Sequence, residues 1–235
     1  MILQLNRLLV SIILLSAVLS GWGCSKNIEI SNPNQLMERN FWKNEKDALM
    51  GLNGVYDAFQ HNQFAGKFYR EFDNLTDNAI TISGANWAEI ESSFHTPVTG
   101  RVLNAWTAYY TVINRANLLI DRVKAMPQDA IDDGARARII AEAVFLRAYA
   151  YQDLTVIWGN VPLYLQPLNA FDEGGAATAK PVIVAAMIKD LEDNIPLLPV
   201  NISGTEKGRI GRGAAIALLG KYYLFNNDFE KAAAT

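Results

Sequence analysis

The sequence has little cysteine and histidine and no excess of basic residues. Cys24 is the only cysteine, so an internal disulfide is excluded and the fold must rest on packing. The 21 Lys and Arg residues stand against 24 Asp and Glu, which gives a net charge of −3 at pH 7. Proteins that bind nucleic acid need clustered Lys and Arg, and we therefore expect no nucleic-acid partner.

Motifs for catalysis and cofactor binding are missing as well. The two histidines, His61 and His95, are too far apart in sequence for an HExxH-type metal motif. The glycine-rich stretch 208–213 has neither the P-loop nor the Rossmann spacing, and no G-x-S-x-G nucleophile motif occurs. We therefore predict no metal site, no cofactor and no catalytic residue.

Acidic residues offer one route to an enzyme, because a glycosidase needs two carboxylates about 5–10 Å apart. The candidates are Glu89 with Glu91, Asp73 with Asp77, or Glu142. With 24 acidic residues, such pairs arise by chance. Glu142 follows Arg138 by four residues, so an ion pair on one helix face is the simpler interpretation. A hydrolase therefore stays a minor alternative.

A short apolar segment precedes Cys24. Residues 8–19 are apolar, follow the basic Arg7 and lead into the small-residue stretch 20–23. This is the layout of a signal peptide, and the run is shorter than the roughly 20 residues that a transmembrane helix needs. We predict that residues 1–23 are a signal peptide and that Cys24 is the lipid-anchored first residue of a bacterial lipoprotein.

The cleavage site departs from the usual lipoprotein pattern. Leucine is usual three residues before the cysteine, where this chain has Gly21, and Trp22 is bulky for the next position. The alternative is an ordinary secreted protein with one free cysteine. An unpaired thiol in an exported protein needs an explanation, and acylation supplies it.

Helical periodicity dominates the chain after a polar stretch. Residues 24–43 are interpreted as a lipidated N-terminus and tether, and residues 44–235 as a helical domain. Asn44 is a candidate N-cap for a helix that ends at Phe59, and long helices are predicted over 103–124 and 137–158. Further helices are predicted from Pro181, over 214–225 and from Phe229.

The predicted helices pair through short turns. The turns at 132–134 and 226–228 indicate helical hairpins, and the second hairpin resembles a tetratricopeptide repeat. We predict an all-α, tetratricopeptide-like fold with long irregular loops. Because the sequence stops inside a predicted helix, we also expect the domain to be truncated at its C-terminus.

Residues 61–100 form a long irregular segment that mixes aromatic, amide and acidic side chains. Such a segment inside a domain is usually functional. Trp87 could pack against the C–H face of a sugar ring, with Asn86 and Arg70 binding hydroxyl groups. The structural alternative is that Trp87 pins the segment to the helices and that Asp73 and Asp77 cap turns.

Short blocks along the chain, taken in order and spacing, resemble the N-terminal part of SusD/RagB-family lipoproteins. The matching blocks are Gly54-Val55-Tyr56, Trp106 with Tyr110, Arg115-Ala116-Asn117, Ala141-Glu142-Ala143 with Leu146-Arg147-Ala148-Tyr149, Trp158-Gly159-Asn160-Val161-Pro162-Leu163, Lys189-Asp190-Leu191, Leu197-Leu198-Pro199 and Gly211-Arg212-Gly213-Ala214-Ala215.

The resemblance implies a non-catalytic surface lipoprotein of the outer membrane. Such proteins capture glycans, or in some members peptides, and partner a TonB-dependent transporter of the SusC/RagA type. The resemblance places Glu142 and Arg147 in scaffold motifs and the region of Arg70, Asn86 and Trp87 near the ligand. Family members are longer than this chain, and their C-terminal part carries much of the binding surface. A peptide-binding RagB-like subunit and a tetratricopeptide-type protein-binding adaptor remain alternatives.

Overall fold

Six α-helices make up most of the part of the chain that the computed structural model describes, which comprises residues 41–61, 76–77, 96–168 and 174–235. They are α1 (Glu45–Phe59), α2 (Gly100–Ala125), α3 (Asp133–Ile157), α4 (Lys180–Asn194), α5 (Arg212–Phe225) and α6 (Phe229–Ala234). Two short 3₁₀ helices follow α4, at Ile195–Leu197 and Gly204–Glu206. Within these residues the β-structure is limited to one antiparallel bridge, Val161 with Thr178.

Helix α1 begins where its capping residue predicts. The Asn44 side chain accepts a hydrogen bond from the backbone N–H of Asp47 at 3.1 Å, which satisfies one of the free donors of the first turn. Gly51 allows close packing on this helix, because a Cβ atom there would lie 2.6 Å from Trp42 and 2.9 Å from Leu119. The predicted first helix is therefore confirmed.

Helices α2 and α3 form an antiparallel hairpin. Near the turn, the Arg136 guanidinium donates to the carbonyl oxygens of Val123, Met126 and Pro127. Farther from the turn, the Tyr109 hydroxyl donates to Asp153 at 3.1 Å. The farther a contact lies from the turn, the more residues separate its two partners in the sequence, as in two antiparallel helices. The predicted hairpin is therefore confirmed.

Helix α3 lies at the centre of the described helices. It packs against α1, α2, α4 and α5 and is buried over most of its length. The Tyr222 hydroxyl of α5 donates to the carbonyl oxygen of Ala148 at 2.6 Å. Because water does not reach the buried part of this helix, the polar side chains there need protein partners. Those side chains are Glu142, Arg147, Gln152, Asp153 and Thr155.

The last helices also follow the sequence. Pro181 lies in the first turn of α4, where its missing N–H costs no helical hydrogen bond. Asn227 adopts a left-handed conformation, φ 62°, in the turn between α5 and α6. The predicted all-α arrangement of helical hairpins is confirmed.

Candidate functional site

The predicted site residues Cys24, Arg70, Asn86 and Trp87 lie outside the described residues, and their roles stay predictions. The chain on either side of the irregular segment is described. The segment that holds Arg70, Asn86 and Trp87 starts after His61, directly behind α1, and ends before Thr96, four residues ahead of α2. The facing ends of α1 and α2 therefore flank the predicted ligand-binding segment.

A groove of about 430 Å³ lies between the end of α1 and the first half of α2. This volume falls in the range of roughly 300–1,000 Å³ that is typical of ligand sites. The residues from the α1 side are Asp57, Ala58, Gln60 and His61, and those from α2 are Asn104, Thr107, Ala108, Thr111 and Arg115. We call this set the α1–α2 groove.

The threonines of the α1–α2 groove have their hydroxyl hydrogens committed to the backbone. The Thr107 hydroxyl donates to the carbonyl oxygen of Leu103 at 2.9 Å, and that of Thr111 to the carbonyl oxygen of Thr107 at 2.8 Å. A hydroxyl that donates in this way keeps lone pairs to accept hydrogen bonds. The two threonines therefore present acceptors along α2.

Arg115 and Asp57 form the charged part of the groove. One guanidinium nitrogen of Arg115 donates to Asp57 Oδ2 at 3.0 Å and to the carbonyl oxygen of Gly54 at 2.7 Å. Their side chains are 45% and 74% exposed, so the pair contributes little to stability. The pairing leaves the groove without a surplus charge from these two groups.

The groove side chains of α2 were missed in the sequence analysis. Their spacing, 104, 107, 108, 111 and 115, places them on one helix face, and that pattern is visible in the sequence. The sequence gives no local sign that α1 lies opposite, because Arg115 reaches Gly54 across 61 positions.

Glu142 is the centre of a buried ionic cluster. Its Oε1 accepts from Arg138 Nε at 2.9 Å, and its Oε2 accepts from the Tyr56 hydroxyl at 2.6 Å. The guanidinium of Arg209 lies 3.6 Å from Oε2, and Glu142 is only 1% exposed. The Tyr56 hydroxyl in turn accepts from the backbone N–H of Ile210 at 2.9 Å. This cluster ties α1, α3 and the 208–213 stretch together.

The geometry of Glu142 confirms the predicted ion pair with Arg138. Glu206 also pairs with Arg138, and hydrogen bonding to that arginine holds the pKa of Glu206 below its usual value. Burial, followed by the hydrogen bond to Glu142, raises the pKa of Tyr56. The Tyr56 hydroxyl therefore stays protonated and donates to the carboxylate, which is a scaffold role.

Arg147 forms a second buried cluster. It donates to Asn117 Oδ1 and to Asp190 Oδ2, each at 2.7 Å, and it is 5% exposed. The Asn117 amide donates to the carbonyl oxygens of Tyr164 at 2.9 Å and Gln166 at 3.0 Å. Arg147 therefore joins α2, α3 and α4 and orients the amide that holds the extended segment after α3.

Aromatic rings cover the end of the α2–α3 hairpin. Trp106 packs edge-on against Trp158 with ring centroids 5.5 Å apart, and it contacts Tyr110 at 4.9 Å. The Tyr110 hydroxyl donates to the carbonyl oxygen of Pro162 at 2.8 Å. Both tryptophans are partly buried and pack against the hydrophobic core.

The described ranges contain neither a cluster of metal-binding side chains nor a membrane-spanning helix. No group of three or more His, Cys, Asp or Glu side chains is placed there to hold a metal ion. None of the helices in these ranges is both long and apolar enough to cross a membrane.

Comparison with known families identifies relatives along most of the chain. The model of a SusD-like family, described as starch-binding and associating with the outer membrane, matches residues 28–224. SusD-like protein P38 of Formosa agariphila is 25% identical over 217 residues, which cover 89% of this chain and 40% of that protein. A SusD-like protein of Bacteroides ovatus is 29% identical over 136 residues, or 54% of this chain and 23% of that protein.

Solved structures share the same helical arrangement. A laminarin-binding SusD-like protein is 30% identical with a TM-score of 0.69, and the match covers 82% of this chain and 42% of that one. A SusD-like carbohydrate-binding protein of Bacteroides fragilis is 22% identical with a TM-score of 0.71, covering 83% and 40%, and shows the fold alone.

These likenesses confirm the tetratricopeptide-like, SusD-type fold, although the chain spans only about 40% of the length of the relatives that it matches most fully. The family match extends across α1 to α4 and nearly all of α5, and across the segment that holds Arg70, Asn86 and Trp87. Because the family model matches 28–224 of the 235 residues, the chain belongs to the SusD/RagB family.

Proposed function

We propose that the protein captures glycans at the cell surface without catalysing a reaction on them. The observation that carries the proposal is the family match over residues 28–224, which includes Arg70, Asn86 and Trp87. The laminarin-binding structural neighbour adds support, since it shares 30% identity with this chain. Laminarin and starch are therefore the first ligands to test.

Within this proposal, Trp87 supplies the aromatic surface against which a sugar ring packs. Asn86 and Arg70 supply hydrogen bonds to hydroxyl groups, which fix the orientation of the sugar. Glu142 takes no part in chemistry, because its oxygens are engaged by Arg138 and Tyr56 in the scaffold. The same helices then serve as a rigid support for the ligand-binding segment.

We further propose that the protein works beside a TonB-dependent transporter of the SusC/RagA type in the outer membrane. Residues 1–23 are removed, Cys24 carries the lipid, and residues 24–43 form a tether to the helical domain. Two or three acyl chains anchor stably, because each buried methylene contributes about 0.8 kcal/mol and one chain alone binds only marginally. The captured glycan then stays next to the transporter that imports it.

Replacing Trp87 with alanine is expected to weaken polysaccharide binding at least about tenfold, because buried aromatic contacts dominate such interfaces. The measurement is retardation of the full-length protein in native gels that contain laminarin or starch. Phe229→Ala is the matched control, since Phe229 is an aromatic residue 61% exposed on α6. Equal retardation of Trp87→Ala and the wild type would remove Trp87 from the site. Binding of peptides and of no polysaccharide would favour the RagB-like alternative.

Replacing Cys24 with serine is expected to move the protein from the membrane fraction to the soluble fraction, because serine offers no thiol for acylation. The measurement is fractionation of cells that express the full-length protein, with Ser25→Ala as the control. Membrane fractionation of Cys24→Ser that matches the wild type would contradict the anchor.

A further inference from the structure

We propose that the α1–α2 groove is a second carbohydrate subsite, which takes a neutral, hydroxyl-rich stretch of the same glycan. The inference rests on the proposed glycan-binding function and adds residues that neither the sequence patterns nor the comparisons assign. Three features of the groove support the inference. They are the hydrogen-bond donors and acceptors along its walls, the neutral charge of its Arg115–Asp57 pair, and its position where the predicted binding segment joins the helices.

The α2 wall of the groove presents acceptors. The hydroxyl groups of Thr107 and Thr111 donate to backbone carbonyl oxygens at 2.9 Å and 2.8 Å, so each hydroxyl oxygen can accept a hydrogen bond from a ligand. Thr107 is exposed and Thr111 half-buried, so both are open to the groove. Threonine is among the weaker helix formers, so helix propensity does not account for these two residues.

Side chains that can donate hydrogen bonds also line the groove. The side chains of Asn104 and Gln60 are exposed and make no hydrogen bond within the described ranges. The bonds of Arg115 to Asp57 and Gly54 both come from one of its terminal nitrogens, so neither bond uses its other N–H groups. Sugar hydroxyls both donate and accept, and a wall that offers both kinds of partner suits them.

Charge balance and the floor of the groove narrow the ligand class. Arg115 and Asp57 neutralise each other at 3.0 Å, so this pair gives the groove no excess charge to attract an anionic or cationic chain. The buried Ala58 and Ala108 form a narrow apolar floor on which the C–H face of a sugar ring can rest. A neutral glycan fits this combination better than a peptide, which needs apolar pockets or a sheet edge.

The groove stands where the predicted binding segment joins the helices. His61 lies at its α1 rim, and Asn104 lies in the α2 turns that follow Thr96. The chain therefore enters and leaves the predicted binding segment beside the two helices that carry the groove. One ligand that occupies both the segment and the groove makes its second contact intramolecularly, which raises its affinity.

Methyl NMR tests the groove directly. The methyl groups of Thr107, Thr111 and Ala108 report on the groove, and that of Ala185, exposed on α4, is the remote reference. The full-length protein is titrated with the hexasaccharide of laminarin and with maltohexaose. We expect saturable shifts of the three groove methyls and none of the Ala185 methyl.

Paired substitutions separate hydroxyl contacts from shape. The double variant Thr107→Val/Thr111→Val keeps the branched shape and is expected to bind about tenfold more weakly, because two hydrogen-bond acceptors are lost. The double variant Thr107→Ser/Thr111→Ser restores the hydroxyls and is expected to bind within about twofold of the wild type.

The results of these experiments distinguish failure of the groove subsite from failure of the proposed glycan-binding function. A glycan that binds without shifting the groove methyls, or that binds the valine double variant as tightly as the wild type, overturns the groove subsite and leaves the proposed function intact. Weaker binding in Trp87→Ala together with unchanged binding in the valine double variant likewise overturns the subsite alone. If neither hexasaccharide nor any polysaccharide binds the wild type, the proposed function itself fails and the subsite falls with it.

Discussion

Replacing Glu142 with alanine is expected to lower the free energy of unfolding by about 3 kcal/mol, because it removes the buried carboxylate of the cluster. Tyr56 then loses its acceptor, and within the described residues Arg138 and Arg209 keep only the exposed Glu206 as an ionic partner. The carboxylate is only 1% exposed and accepts from Arg138 at 2.9 Å and from Tyr56 at 2.6 Å. Without it, the Arg209 guanidinium loses its nearest buried anion, 3.6 Å away. The measurement is urea denaturation of the full-length protein.

The effect should reach beyond α3. The Tyr56 hydroxyl accepts from the backbone N–H of Ile210 and donates to Glu142, so the 208–213 stretch is held directly to α1 and, through this carboxylate, to α3. Glu142→Gln keeps the shape and an acceptor for Tyr56 while removing the charge, and we expect a loss of about 1–2 kcal/mol. Alanine and glutamine together therefore separate packing and hydrogen bonding from charge.

The matched control is the exposed i,i+4 pair of Lys189 and Asp193, whose side chains are 74% and 59% exposed and 2.7 Å apart. Lys189→Ala should change the free energy of unfolding by less than about 0.5 kcal/mol, because surface pairs contribute little. A Glu142→Ala variant as stable as Lys189→Ala would show that the buried cluster is not a structural element.

Replacing Arg147 with methionine is expected to cost about 3 kcal/mol, because the substitution leaves the buried Asn117 oxygen without its donor. Arg147 bridges Asn117 and Asp190 at 2.7 Å each, and a planar guanidinium suits two acceptors at once. Lysine presents a single charged nitrogen, so we expect Arg147→Lys to recover only part of the loss.

Hydrogen exchange gives the Arg147 prediction a local readout. Asn117 holds the carbonyl oxygens of Tyr164 and Gln166, and the Tyr164 N–H donates to the Tyr151 hydroxyl at 2.7 Å. We expect the Tyr164 amide to exchange faster in Arg147→Met.

Arg115→Met is the stability control for Arg147. Its ion pair with Asp57 is exposed, so its loss should cost less than about 1 kcal/mol. Unchanged exchange at Tyr164 in Arg147→Met, together with a stability equal to that of Arg115→Met, would contradict the bridging role.

Most of the helix boundaries could be predicted from local signals in the sequence. The cap at Asn44, Pro181 in the first turn of α4 and the turn around Asn227 all mark helix boundaries through backbone preferences that each residue has on its own. The i,i+4 pair of Arg138 and Glu142 is equally local. These features need no knowledge of the tertiary contacts.

Contacts between residues far apart in the sequence could not be predicted from the sequence alone. The ion pair of Arg209 with Glu142 forms only because of how the helices pack. The same holds for the hydrogen bond from the Ile210 N–H to Tyr56, whose partners are 154 positions apart. The α1–α2 groove has the same origin, since the polar face of α2 becomes a wall only when α1 lies opposite. Trp87, Asn86 and Arg70 were selected by residue chemistry, and their place in the site remains a prediction.

Equilibrium dialysis followed by sizing of the recovered sugar tests the central claim most directly. The full-length protein is dialysed against oligosaccharides of laminarin and of starch, and each sample is then separated by length. Non-catalytic capture predicts that one series accumulates on the protein side and is recovered at its original length. Equal distribution of every oligosaccharide, or recovery of shortened chains, would contradict it.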